Sequence, residues 1–137
     1  MTQQHPWERK AENWLGWART PGFDAYWYYR DAFFDEIVER KGHTLEIGCG
    51  EGRVARDLAG RGHDVVAIDL TATLLEHARD ADPDLLYARA DAATPFHDQS
   101  FDTVVAYNSL MYFYTSICLC SQVANRSAPK LGNAVDG

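Results

Sequence analysis

The chain has 137 residues, of which 46% are hydrophobic, and a formal net charge of -7. This length favours one domain with enough apolar side chains for a core, and the acidic balance argues against a protein that neutralises nucleic-acid phosphates. Three cysteines do not suggest a disulfide framework. Since no apolar run is long enough for a leader or a membrane span, we expect a cytoplasmic protein with neither nucleic acid nor membrane as a partner.

The N-terminal 40 residues are predicted to contain one helix. Residues 1–22 include three tryptophans and end at the turn signal Thr20-Pro21-Gly22, so we expect a loosely ordered lead-in. In residues 23–40 the apolar side chains recur at helical spacing, and acidic ones cluster on the opposite half of the wheel. The predicted aromatic half, which would pack on the domain, consists of Phe23, Tyr26, Trp27, Tyr29, Phe33, Phe34, Ile37 and Val38.

A strand, a glycine-rich turn and a helix follow. Residues 44–47 are predicted to be the first strand, and residues 53–59 a helix that ends at glycines 60 and 62. Between them, glycines 48, 50 and 52 allow the backbone to turn sharply and a ligand to approach closely. The amides at the start of the helix favour a carboxylate or a phosphate, because the positive end of the helix dipole lies behind them.

The remaining pattern alternates strands and helices. Residues 64–69 form an apolar run typical of a buried parallel strand, and a helix is predicted from about Thr71 to Asp80, with Thr73 and Glu76 at capping-box spacing. Residues 85–91 and 101–107 are predicted to be the third and fourth strands. This alternation predicts a parallel sheet with right-handed crossovers.

Two acidic residues end predicted strands at the edge where open parallel sheets bind ligands. The carboxylate of Asp69 suits both hydroxyls of a ribose, although an aspartate that caps the helix before Thr71 is an alternative interpretation. Asp91 is placed to accept a hydrogen bond from an adenine amino group, while the amide of Ala92 donates to a ring nitrogen. An aspartate before a loop is common, so this assignment is weaker by itself.

The spacing of the glycines separates two classes of nucleotide site. A dinucleotide fingerprint requires glycine at position 53, where this chain has arginine. The chain instead resembles the class I S-adenosylmethionine-dependent methyltransferases, whose first motif, acid-x-Gly-x-Gly-x-Gly, is matched by Glu46, Gly48, Gly50 and Gly52. The resemblance continues through Asp69, through Asp91 with Ala92, and through a fourth motif, Phe101-Asp102-x-Val104-Val105 with Asn108-Ser109-Leu110, close to the type 11 branch.

The resemblance implies a Rossmann-like, doubly wound α/β fold with a mostly parallel sheet and S-adenosyl-L-methionine as cofactor. The methionine carboxylate would lie beside the amides of residues 48–52, and residues around Asn108 would line the pocket beside the transferable methyl. A small molecule would accept the methyl. Transfer needs alignment and exclusion of water rather than a protein nucleophile, and the sequence identifies no catalytic residue. The implied cofactor contacts are Glu46, Gly48, Cys49, Gly50, Gly52, Asp69, Leu70, Asp91, Ala92 and Asn108.

Other reactive side chains have simpler interpretations. Cys49 fits the turn as a small residue and has no evident His or acid partner. Cys118 and Cys120 lack the second pair that a zinc site needs, and the histidines show no ligand spacing, so we expect no metal. Arg30 either reaches the cofactor carboxylate or packs its stem on the apolar face with its head in water.

The resemblance covers residues 23–110 and ends near residues 112–114. We therefore expect a lead-in at residues 1–22, a partial S-adenosylmethionine-binding domain at 23–110 with the first four strands of the family's usual seven, and a divergent tail at 111–137 that is a candidate for disorder. We interpret the chain as truncated or frame-shifted. In the family's strand order, 3-2-1-4-5-7-6, the fourth strand would then be an unpaired edge available for self-association, unless residues 117–123 pair with it.

This interpretation predicts weak cofactor affinity and little turnover. Two other functions stay open from the sequence. One is a non-catalytic remnant that binds the cofactor, or nothing, and associates through its exposed sheet edge. The other is a nicotinamide-binding Rossmann protein.

Overall fold

The computed structural model of the chain describes residues 5–38, 41–92 and 100–109. The predicted tail at residues 111–137, the candidate strand at 117–123 and both cysteines of the Cys118-x-Cys120 pair lie outside the described residues.

Four parallel strands form the centre of the described fold. They are β1 (His43–Ile47), β2 (Asp64–Asp69), β3 (Leu86–Arg89) and β4 (Thr103–Val105), in the spatial order β3-β2-β1-β4. Glu46 of β1 is in register with Ala67 of β2 and with Val105 of β4. The predicted α/β fold and the first part of the predicted strand order are thus confirmed, with β1 between its two neighbours.

The helices lie on one side of this sheet. Helix α1 covers Ala11–Ala18 and α2 covers Ala25–Ala32, which continues into a π-helical turn at Phe33–Ile37. Helix α3 covers Arg53–Gly60 and α4 covers Ala72–Ala81. Helices α2, α3 and α4 contribute to one apolar cluster with β2 and β3. A second cluster, on the other face, contains strand residues such as Leu45, Ile47 and Ile68 but none from a described helix.

The prediction of a loosely ordered lead-in is wrong for α1. This helix packs on α4, but its buried residues are Ala11 and Ala18. Apolar residues do recur at helical spacing here, at Ala11, Trp14, Leu15 and Ala18, so a signal for this short helix was present in the sequence.

The aromatic half predicted for the next helix is buried only in part. Tyr26, Phe34 and Val38 are buried, whereas Phe23 and Tyr29 are each 58% exposed. Phe23 precedes the first residue of α2 and stacks on Trp17, and Tyr29 packs edge to face on the exposed Tyr28.

The start of α4 also differs from the prediction. The helix begins at Ala72, and its N-cap residue, Thr71, makes no side-chain capping bond. Thr73 therefore lies inside the helix, and the predicted capping box is wrong. The carboxylate of Glu8, far away in the sequence, accepts hydrogen bonds from the amides of Ala72 and Thr73 instead. Among the described helices, none combines the length and apolarity that crossing a bilayer requires.

Candidate functional site

A cavity of about 480 Å³ lies at the carboxyl ends of the strands. Its size is within the range of roughly 300–1,000 Å³ that is usual for small-molecule sites. The glycine turn after β1, the segment after β2, the end of β3 and the residues after β4 form its walls, and side chains of the N-terminal region cover it. Those covering side chains are His5, Trp7, Trp14, Asp24 and Tyr26.

Eight of the ten residues predicted to contact a cofactor line this cavity, namely Glu46, Gly48, Cys49, Gly50, Asp69, Leu70, Ala92 and Asn108. Asp91 and Gly52 do not. Asp91 is exposed, whereas Ala90 and Ala92 on either side of it line the cavity, as expected where side chains alternate along an extended chain. Of the two acidic strand ends that were predicted to converge, the structure brings only Asp69 to the cavity.

Gly52 has a packing role instead. Its φ of +85° is the left-handed conformation that glycine tolerates, and a Cβ built there would lie 2.6 Å from the hydroxyl oxygen of Tyr87. The third glycine of the motif is therefore needed where the turn crosses Tyr87 of β3. Gly50, at φ +55°, does line the cavity. A Cβ built at Gly50 would lie 3.4 Å from Nε1 of Trp14, which lines the cavity as well.

The amides of the glycine turn are used within the protein. Gly48 and Cys49 donate to the carbonyl oxygen of Ile68 at 2.8 and 3.0 Å, and Gly52 donates to that of Cys49 at 3.0 Å. The amide of Gly50 donates to Asp69 Oδ2 at 2.8 Å. The prediction that the amides of residues 48–52 receive a ligand carboxylate is therefore wrong for these four amides, and an anion in the cavity needs another donor.

Asp69 makes the capping contact that was its alternative interpretation, and its ribose-binding role stays a prediction. Its Oδ1 accepts from the amide of Thr71 at 2.8 Å, which is the capping interaction, and its Oδ2 binds the glycine turn. Because each carboxylate oxygen accepts more than one hydrogen bond, Asp69 keeps acceptor capacity on the cavity side. Its orientation is set by two backbone amides, one on each flank.

Glu46 is a buried acid at the centre of the sheet. Its side chain is 2% exposed, and its Oε2 has no hydrogen-bond partner within the part of the chain that the structure describes. Burial, followed by the nearby charges of Asp69 and Glu51, raises the pKa of Glu46 to about 8. Such a group favours a cation or a hydrogen-bond donor from the cavity, because a buried unpaired acceptor is costly.

A cation that the sequence analysis missed lies nearby. Arg53, the first residue of α3, donates from Nη2 to Asp24 Oδ2 at 2.8 Å, and its guanidinium lies 4.2 Å from the ring centroid of Tyr26 and 5.1 Å from that of Trp14. The side chain is 11% exposed. Among the described residues, neither its Nη1 nor Asp24 Oδ1 has a hydrogen-bond partner, and both side chains line the cavity.

Arg30, the arginine that the sequence analysis considered for this role, does not line the cavity. It lies over the ring of Trp27 at 5.2 Å and 3.8 Å from Asp57 Oδ2. Neither interpretation describes it fully, because the guanidinium itself, rather than the stem alone, packs on an aromatic ring and faces a carboxylate. A signal for Arg53 was present, because a side chain at the first position of a helix points back towards the helix N-terminus, which here borders the glycine turn.

A buried ion-pair network supports the turn from below. Glu51, whose side chain is 1% exposed, binds Arg56 Nη2 at 2.7 Å and Arg19 Nε at 3.0 Å. Arg56 also donates to the backbone oxygen of Glu51 at 2.7 Å, and Arg19 donates to the carbonyl of His77 in α4 at 3.0 Å. The network connects α1, α3 and α4 to the glycine turn.

The thiol of Cys49 is not an activated nucleophile. It is 6% exposed, and burial, together with the charges of Glu46 and Asp69, raises its pKa well above the ordinary value. Within residues 5–38, 41–92 and 100–109, no cluster of three or more His, Cys, Asp or Glu residues could hold a metal ion. The described residues thus give the cavity polar binding groups, Arg53, Asp24, Glu46 and Asp69, but no activated thiol.

Comparison with known proteins identifies the family to which the chain belongs. Residues 45–126, more than half of the chain, match the family described as methyltransferase domain. Magnesium-protoporphyrin O-methyltransferase of Rhodobacter capsulatus is 40% identical over 75 residues, which cover 51% of this chain and 33% of the relative. An 18S rRNA (guanine-N(7))-methyltransferase of Mus musculus is 32% identical over 72 residues, which cover 51% of this chain and 26% of the relative. The chain thus spans a third or less of the length of these relatives.

A solved structure supports the same conclusion. The S-adenosylmethionine-dependent methyltransferase of Mesorhizobium loti superposes with a TM-score of 0.63 at 29% sequence identity. The superposition covers 77% of this chain and 50% of that one.

Proposed function

Because the chain belongs to the class I S-adenosylmethionine-dependent methyltransferases, we propose that its cavity holds S-adenosyl-L-methionine and that the protein transfers a methyl group to a small-molecule acceptor. One observation carries the cofactor assignment. A buried donor, Arg53 Nη1, and two buried acceptors, Glu46 Oε2 and Asp24 Oδ1, border one cavity and have no hydrogen-bond partner among the described residues. One cation beside two acids suits an α-amino acid, which carries a carboxylate and an ammonium group.

In this proposal, the two ends of the cofactor would lie in different parts of the cavity. Arg53 would bind the methionine carboxylate, in place of the turn amides that are already used. Glu46 and Asp24 would accept from the ammonium group. Asp69, held by Gly50 and Thr71, would accept from the ribose hydroxyls. The apolar residues around the end of β3, Ala90 and Ala92, would border the adenine.

The bound cofactor supplies an electrophilic methyl on a sulfonium centre. The residues of the chain bind, align and exclude water, which are the contributions that an in-line displacement requires. Trp7, Trp14, Tyr26 and Tyr107 line the cavity as bulky aromatic walls. Asn108, next to Tyr107, would lie beside the transferable methyl and contact the acceptor.

The acceptor is proposed to be a small molecule. The net charge of -7 and the acidic groups at the cavity support an acceptor that is not polyanionic, although several relatives are named as rRNA or tRNA methyltransferases. Cofactor binding depends on described residues, whereas transfer also requires an acceptor site. A protein that binds the cofactor without turnover, and associates through its sheet edge, is therefore the second candidate.

Isothermal titration with S-adenosylhomocysteine tests the cofactor assignment. We expect saturable binding with one site per chain and no binding of NAD under the same conditions. Transfer of a radiolabelled methyl from S-adenosylmethionine to a metabolite extract, with total RNA as the parallel acceptor, then tests the reaction and its substrate class. Absence of S-adenosylhomocysteine binding overturns the cofactor assignment, labelled RNA overturns the small-molecule acceptor, and binding without any labelled product favours the second candidate.

A further inference from the structure

The first amides of α4 are bound by carboxylates from two other parts of the chain. Thr71 N donates to Asp69 Oδ1 at 2.8 Å, and the amides of Ala72 and Thr73 donate to the two carboxylate oxygens of Glu8. Helix α4 has no acidic residue in its first turn and no side-chain bond from its own N-cap. Glu8, which is 64 residues from Ala72 along the chain, therefore supplies the cap that the helix lacks.

The segment that carries Glu8 also covers the cavity. His5 and Trp7 line it from this segment, and Trp7 packs edge to face on Trp14 with ring centroids 6.0 Å apart. We call His5 and Trp7 the N-terminal cover. Through its bonds to α4, Glu8 fixes this cover beside the cavity wall that contains Asp69, Leu70 and Thr71. The bonds from Ala72 and Thr73 thus connect the cover to the wall that would contact the ribose.

The carboxylate of Glu8 is ionised at neutral pH. Burial acts to raise its pKa, but hydrogen bonds from Thr73 and Ala72 outweigh burial and lower the pKa below the ordinary value. A helix N-terminus with open amides would instead attract a phosphate. At α4 the amides of Thr71, Ala72 and Thr73 are occupied, and a phosphate on the ribose would face the negative charges of Glu8 and Asp69.

We propose that Glu8 is a positioning and specificity residue of the nucleoside half of the site. It holds the N-terminal cover against the ribose-binding wall, and it fills the α4 N-terminus so that the site takes a nucleoside whose ribose carries no phosphate. This inference rests on the proposed function, because it concerns the ligand that the cavity is proposed to hold. It adds a residue outside the motifs by which the family resemblance was recognised.

Titration of Glu8→Ala and Glu8→Gln with two probes tests the proposal. Glu76→Ala, which removes an exposed acid from the same helix, is the matched control. We expect the wild type and the control to bind S-adenosylhomocysteine with equal affinity. Glu8→Ala should bind it about tenfold more weakly. The affinity of Glu8→Gln, which keeps one acceptor oxygen, should lie between these two values. For adenosine 2′-monophosphate we expect no binding by the wild type and measurable binding by Glu8→Ala.

The ratio of the two affinities separates specificity from a general loss of structure, because a merely destabilised site would bind both probes more weakly. Equal S-adenosylhomocysteine affinity in the wild type and both Glu8 variants overturns the positioning role. Failure of both variants to gain affinity for adenosine 2′-monophosphate overturns the specificity role. If Glu8→Ala does not fold, Glu8→Gln decides both points. A wild-type chain that binds no S-adenosylhomocysteine overturns the proposed function itself, and this result is distinct from the other two.

Discussion

Arg53 and Asp24 form an ion pair, with Nη2 2.8 Å from Oδ2, in which each partner keeps one buried polar atom without a hydrogen-bond partner among the described residues. The two rings against the guanidinium, Trp14 and Tyr26, limit its movement. An arginine held in this way is preorganised to bind a carboxylate. We therefore expect this pair to discriminate between ligands that carry a carboxylate and ligands that lack one.

Replacement of Arg53 by alanine should weaken S-adenosylhomocysteine binding by roughly 10- to 100-fold, because a hydrogen bond to a charged group contributes about 1.5–3 kcal/mol. Binding of 5′-methylthioadenosine, which lacks the amino-acid end, should change by less than about threefold. Titration calorimetry measures both. Arg30→Ala, which removes an arginine outside the cavity, is the control. An equal loss for both ligands would contradict a direct contact between Arg53 and the carboxylate.

Glu46 should make ligand binding depend on pH. With its pKa raised to about 8, the carboxyl is mainly protonated at pH 7 in the free protein, whereas a bound ammonium group favours the ionised form. The S-adenosylhomocysteine affinity should therefore rise from pH 6 towards pH 8 by up to about tenfold per pH unit, and level off above pH 8. Glu46→Gln, measured over the same range, should lose this slope and retain only the titration of the ligand. A slope shared by both proteins would exclude Glu46 as its source.

The raised pKa of Glu46 also makes the free energy of unfolding depend on pH. Between the ordinary pKa of 4.5 and the folded value of about 8, the folded state holds a proton that the unfolded state has lost. The free energy of unfolding contributed by Glu46 should therefore fall as pH rises through this window. Denaturant unfolding of the wild type and Glu46→Gln at pH 5, 6.5 and 8 measures it, and a wild-type stability that rises relative to the variant would contradict this sign.

Gly52→Ala should destabilise the fold for two reasons that can be separated. The residue has φ +85°, and the added Cβ would lie 2.6 Å from the hydroxyl of Tyr87. Gly62 has a similar φ of +92° with nothing within 4 Å of the added Cβ, so Gly62→Ala measures the backbone cost alone, about 1–2 kcal/mol. We expect Gly52→Ala to cost at least about 1 kcal/mol more in urea unfolding, and Tyr87→Phe in the Gly52→Ala background to recover part of the excess. Equal costs at both glycines would show that Tyr87 gives way.

The buried ion pair of Glu51 should matter more than its exposed counterparts. Glu51→Gln leaves Arg56 and Arg19 without their carboxylate, and removal of one partner from a buried pair typically costs about 3–5 kcal/mol. Asp31→Asn, which breaks a pair with Arg61 at an aspartate whose side chain is 73% exposed, should cost less than about 1 kcal/mol. Thermal unfolding compares the two. Similar losses would indicate that water already screens the Glu51 network.

The sequence by itself was sufficient for the strands, their parallel order, the glycine turn and the position of Asp69. These features depend on local signals: apolar runs that suit buried strands, glycines at positions of positive φ, and an acid at the end of a strand. Most of the residues predicted to contact a cofactor also line the cavity, since the carboxyl ends of parallel strands meet at one edge. Their binding roles stay predictions.

Only the tertiary structure decided which polar groups are free to bind a ligand. The amides of Gly48, Cys49, Gly50 and Gly52 donate to Ile68, Cys49 and Asp69. Arg53 is bound by Asp24, from a segment 29 residues earlier, and keeps a donor without a partner among the described residues. Glu8 caps α4 from still farther away. Hydrogen bonds between distant segments leave no periodic trace in the sequence, because their geometry depends on how separate helices pack around the sheet. Local patterns therefore determine the scaffold, and long-range packing determines the donors and acceptors that the cavity offers.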